Sequence, residues 1–164
     1  MSLLANLTFV AILGSGLMAG VFFAFSTFVM GALRRLPPDD GMAAMRQINA
    51  RALNSLFLLE FLGMALLTLY LAWEAYSRGR VLGMAYLWLG SLSYFVGTFL
   101  VTVAGNVPLN RQLDAAQPGD QAVWDRYVVR WTMWNHLRTA SSLLALWTFT
   151  MSFMDQSHAM LPRF

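Results

Sequence analysis

Three ionisable side chains, Glu60, His136 and Arg138, stand well inside long apolar stretches of the sequence. A charge in hydrocarbon costs at least about 2.5–3.5 kcal/mol on insertion scales, so each needs a partner or a task. Glu60 lies about 12 Å of helix rise beyond Ala52, and Arg138 about 10 Å beyond Trp131. If both helices enter from one side, carboxylate and guanidinium share a level, and their depths predict a bidentate pair. Imidazole is the side-chain type that most readily exchanges protons near neutrality, which makes His136 the candidate base at this level. The plainer alternatives are a structural Glu60–Arg138 staple and a hydrogen-bonded structural His136.

Other polar groups fall at the same depth: Ser26 and Thr27 in the first apolar stretch, Thr98, Thr102 and Asn106 in the third, and Thr132 and Asn135 in the fourth. Trp131, Asn135 and Arg138 recur at i, i+4 and i+7 and form one helical stripe, from which His136 is turned by about 100° relative to Asn135. Trp131 and Trp134 beside these groups make an aromatic wall suited to a flat ligand. Together they predict a cavity in the inner third of a bundle, opening toward Asn106 to Asn110.

The elements that must carry these residues follow from composition. The chain has 164 residues, 58% hydrophobic and 12% charged, too apolar for an ordinary soluble domain. Four apolar runs, 3–33, 52–73, 82–105 and 131–154, are each long enough to cross about 30 Å of hydrocarbon. The predicted fold is all-α, an integral membrane four-helix bundle forming one domain over 1–164. The first run lacks a basic n-region and greatly exceeds a signal-peptide core, so it reads as the first span. Arg34 to Asp40 stops it, a short amphipathic helix or an extension of the second span is expected between Asp39 and Asn54, and helix resumes near Gln121 after Pro118-Gly119.

All 11 basic residues are Arg, and the net charge is +3. Apart from Arg138 they sit at span boundaries rather than on one basic stripe, which argues against nucleic acid as a partner. Arg34, Arg35, Arg46, Arg51, Arg111, Arg126 and Arg130 fall on the side of the first and third connections, against Arg78, Arg80 and Arg163 opposite. This bias puts both termini outside (periplasmic in a bacterium) and the first and third connections in the cytoplasm. There is no Cys, which excludes disulfides and Cys-ligated metals. Gly16 and Gly20 form a small-xxx-small face for packing within the bundle or between copies in a homo-oligomer. His158 falls in the tail and is given no role.

Four segments resemble the anthrone oxygenase-like family of small four-span membrane proteins: Gly16 to Ser26, Gln47-Ile48-Asn49, Asn106-Val107-Pro108-Leu109-Asn110, and Trp131 to Arg138. The resemblance implies oxidation of a flat, apolar anthrone- or quinol-like substrate by O2, with no metal and no cofactor required. In that scheme His136 is the base, Arg138 and Asn135 stabilise the enolate oxygen, Glu60 orients Arg138, and Trp131 is the wall. Trp134, Ser26 and Thr102 line the site, and Asn106 and Asn110 shape its inner mouth. Three other readings compete: a haem- or quinone-binding redox protein with His136 as axial ligand, a small transporter or assembly subunit with Glu60 as coupling carboxylate, and a bundle whose polar level only fixes helix register.

Overall fold

The structure is a computed structural model and describes residues 2–79 and 82–158. Arg80 and Arg163, used above for orientation, lie outside them, as does the side chain of His158. Among the described residues the chain is all-α and forms five helices: α1 Leu3–Leu33, α2 Pro38–Leu53, α3 Leu56–Ser77, α4 Leu82–Ala115 and α5 Gln121–His158. Ser2 caps α1 by accepting from the Ala5 N–H, and Ser55 caps α3 by accepting from the Phe57 N–H. The Ser55 cap and the break at Asn54 make α2 a separate helix rather than an extension of α3, which therefore begins at Leu56 and not at Ala52.

Three of these helices, α1, α3 and α4, are long and apolar enough to cross a membrane. The sequence predicts four. The fourth run lies within α5, where Asn135, Arg138, Thr139, Ser141 and Ser142 dilute its hydropathy. The distribution of side chains explains why a bundle needs such a helix. Leu13, Leu17, Leu59 and Leu66 are exposed, while Thr8, Ser15, Thr68, Ser91, Thr98, Ser142, Thr148 and Ser152 are buried. Apolar outside and small polar inside is the arrangement of helices packed in lipid, where hydroxyls satisfy one another or the preceding turn; Ser15, whose Oγ has no partner, is the exception.

The α4–α5 interface is set by glycines the sequence reading passed over. A Cβ on Gly83, Gly90 or Gly97 would run into Asp155, Thr148 or Ser141 respectively. Both rows advance by seven residues, the repeat of helices crossing at a shallow left-handed angle. The next contact, Gly105 on the ring of Trp134, comes eight residues after Gly97. Wide π turns at Phe95–Leu100 and Thr102–Asn106 accommodate the extra residue. They also carry α4 through Pro108: Val107 donates back to the Thr102 carbonyl, five residues earlier, and the helix restarts with Pro108 in its first turn. The segment Asn106 to Asn110, beyond the predicted end of the third run at 105, is therefore helical. Gly16 packs on Leu146 within the chain, whereas a side chain at Gly20 would meet open space.

Two apolar clusters stack along the bundle. One includes Met18, Phe22, Phe61, Leu87, Tyr94 and Phe149. The other gathers Met30, Met42, Met45, Leu113, Trp124 and Trp131 where α4 and α5 extend toward α2. Arg46 fastens α2 there by donating to the carbonyls of Leu113 and Ala116 at the end of α4 (2.7 and 2.8 Å from Nη2), and Asp39 accepts from the Gly119 N–H. The polar residues of interest occupy the seam between the two clusters.

Candidate functional site

The stripe Trp131, Asn135 and Arg138 faces inward, as its spacing predicts, and all three residues are buried. Arg138 is 4% exposed. Its Nη2 donates to Asn135 Oδ1 (2.7 Å) and Nη1 to Thr102 Oγ1 (3.3 Å), while buried Nε has no partner. The guanidinium carbon lies 4.3 Å from the centroid of the Phe22 ring and 5.0 Å from that of Trp131. Each aromatic contact of this kind is worth about 0.5–2 kcal/mol, and neither neutralises the charge.

Asn135 is fixed from the other side. Its Nδ2 donates to the Phe22 carbonyl and to Ser26 Oγ, both at 2.7 Å, and Ser26 in turn pairs with Thr139 Oγ1 at 3.1 Å. Ser26 sits in the π turn Phe25–Val29 of α1, one turn beyond Phe22. Thr102 donates to the Thr98 carbonyl, and Thr98 pairs with Ser142 (2.9 Å), so α1, α4 and α5 are tied through one layer. Asn106, also buried, donates to the Trp131 carbonyl at 3.3 Å and leaves Oδ1 free. Asn110 Oδ1 accepts from both Tyr127 Oη (2.9 Å) and Trp131 Nε1 (3.1 Å). Burial pushes the Tyr127 phenol above its ordinary range, which keeps it the neutral donor in this pair. Trp134 is half-buried against Gly105.

Two predicted members are elsewhere. His136 is exposed on the outer face of α5; the 100° turn that separates it from Asn135 takes it out of the bundle once the stripe faces in. Neither the base nor the axial-ligand role brings it to Arg138. Glu60 does not pair with Arg138. Its two carboxylate oxygens are buried without a partner, with Oε1 close against Gly14 of α1. Equal depth on two helices fixes height but not azimuth, and α3 turns Glu60 toward the α1 side. The one ion pair among the described residues is Arg78 with Glu74, at 2.7 Å.

Phe22, Thr139 and Tyr127 join the site without having been singled out. Phe22 contributes a ring and a main-chain carbonyl, roles that a hydrophobic residue in an apolar run does not advertise. Tyr127 lies one turn before Trp131 on the same stripe, and that spacing was the available signal. Among the described residues, no three His, Asp or Glu side chains gather as a metal site would require.

A family model described as anthrone oxygenase matches residues 45–148. The chain belongs to the anthrone oxygenase family. The match takes in Asn106, Asn110, Trp131, Asn135 and Arg138, and it stops short of the α1 residues Phe22 and Ser26 that complete the layer. No curated protein and no solved structure matches the chain. What membership in the anthrone oxygenase family contributes is a reaction class against which the buried guanidinium can be weighed.

Proposed function

We propose that the protein is a membrane-embedded oxygenase that converts a flat aromatic ketone with an acidic CH2, of the anthrone type, into the corresponding quinone using O2. The observation that carries this reading is a buried Arg138 with aromatic rings on its flanks and no carboxylate to neutralise it. An uncompensated cation in such a place favours the anionic form of whatever binds beside it.

The chemistry asks for little more. Loss of a proton from the CH2 gives an enolate whose oxygen is stabilised by Arg138, with Asn135 holding the guanidinium in place. The proton leaves to water past the partly exposed Asn110. The carbanionic carbon reduces O2 and forms a C–O bond; protonation gives a hydroperoxide, and loss of water, taking the second CH2 hydrogen, leaves a carbonyl. Overall one CH2 and one O2 become one C=O and one H2O. Trp131 and Phe22 supply the flat apolar surroundings, and Ser26 and Thr102 hold Asn135 and Arg138. His136 is outside this scheme.

Four membrane crossings, with α5 as the fourth, and both termini on the outer side fit the Arg distribution and the Arg46 anchor that closes the cytoplasmic end. The test is O2 consumption with 1,8-dihydroxyanthrone in nanodiscs, corrected for autoxidation in empty discs. Turnover by the wild type and a loss of about 10²–10³-fold in Arg138→Gln is expected, the range typical of removing one oxyanion donor. Absence of turnover, or full activity in Arg138→Gln, overturns the reading.

A further inference from the structure

Between α1 and α3 a groove of about 470 Å³ opens on the outside of the bundle. Its walls are Leu13 and Leu17 of α1 and Gly63 and Leu67 of α3, with Glu60 and Gly14 also lining it. Leu13 and Leu17 are well exposed, 59% each, and Leu67 is partly buried against the core, so in a bilayer the groove faces acyl chains on its α1 side. A volume of this size is in the range of small-molecule sites.

Glycines make the groove. A Cβ on Gly14 would overlap Met64 and approach Glu60 Oε1 to 2.9 Å, so only glycine lets the carboxyl group lie against α1. A Cβ on Gly63 would meet nothing within 4 Å, which leaves the groove open along α3. The carboxyl group is the anomaly. Both of its oxygens are buried and neither has a hydrogen-bond partner, although leaving such a group unpaired is costly. The walls offer it no donor.

We infer that the α1–α3 groove is a lateral binding site for a membrane-dissolved molecule with an apolar body and a hydroxyl group, whose hydroxyl hydrogen-bonds to Glu60. A hydroxyl both donates and accepts, so it satisfies the carboxyl group in either protonation state. The apolar walls exclude a strongly charged ligand, and access from the bilayer suits a solute that is already concentrated there. This site is distinct from the Arg138 layer and stands or falls independently of the oxygenase reading.

The experiment titrates 4-nonylphenol and its methyl ether, 4-nonylanisole, into the protein in lipid nanodiscs, with empty discs as the partition control. The pair differs only in the hydrogen-bond donor. Wild type is expected to bind the phenol saturably and about tenfold more tightly than the ether. Glu60→Leu should bind the two equally, and Gly63→Trp, whose Cβ meets nothing within 4 Å and whose indole would occupy the groove, should bind neither. Thermal melting of each variant checks that it is folded, and Glu60→Leu removes an unsatisfied group and should not melt lower. Equal binding of phenol and ether by the wild type, discrimination that survives in Glu60→Leu, or no saturable binding overturns the inference. So does loss of a dimer in native mass spectra of Gly63→Trp, which would assign the groove to a second copy of the chain.

Discussion

Arg138 is the residue on which the account turns, because its surroundings orient the charge without cancelling it. Asn135 is its main positioning partner, and truncation to Ala would strip Nη2, the Phe22 carbonyl and Ser26 of one bond each. Asn135→Ala is therefore expected to destabilise the bundle by on the order of 2–4 kcal/mol in a denaturant titration, and to lower turnover as well. His136 makes the contrasting case. Exposed on the outer face of α5, it should be dispensable, and His136→Ala should retain anthrone turnover within about twofold of wild type in the same nanodisc assay. The inward stripe of Trp131, Asn135 and Arg138 was legible from spacing alone, and the same spacing already turned His136 away from it. The Glu60–Arg138 pair was not a safe reading, since hydropathy gives depth along a helix and no information about rotation around its axis.

At the scale of elements, the glycines divide into two groups with opposite expectations. Gly90 and Gly97 lie in the α4–α5 seam, and Gly90→Leu must displace Phe149 and Thr148, costing about 1–3 kcal/mol. Gly20 and Gly31 face open space, so Gly20→Leu should leave stability within about 0.5 kcal/mol of wild type. Unfolding in a graded detergent series distinguishes the two. The four apolar runs were readable because hydropathy averages over many residues. The seven-residue row of Gly83, Gly90 and Gly97 was also written in the sequence, but it matched two rows only once α5 was seen to advance in step. The passage of α4 through Pro108 was hidden for a different reason: proline normally ends a helix, and the π turn that spares it here contains Gly105, packed on Trp134 of α5, a tertiary contact that the local sequence does not announce.

The whole molecule is a bundle with its polar layer at the seam between two apolar cores, one bounded by exposed leucines and the other braced by α2. If α2 and the ends of α4 and α5 lie in the cytoplasm, the α3–α4 connection faces outward. The absence of Cys makes this simple to check with single substitutions. In intact cells a membrane-impermeant maleimide should label Ser77→Cys, and should label Gln117→Cys only after permeabilisation; the reverse pattern would invert the proposed orientation. That arrangement would turn the Asn106 to Asn110 segment of α4 toward the cytoplasm.

The central claim is that Arg138 stabilises an aromatic oxyanion, and it can be measured without any turnover. The absorption spectrum of 2-hydroxyanthraquinone reports its ionisation directly, so the bound dye can be titrated with pH in nanodiscs holding the wild type or Arg138→Gln. A cation beside the phenolate favours the charged form, so the wild type should lower the apparent ionisation of the dye by about one unit or more relative to Arg138→Gln. Identical titrations in the two proteins would contradict the claim.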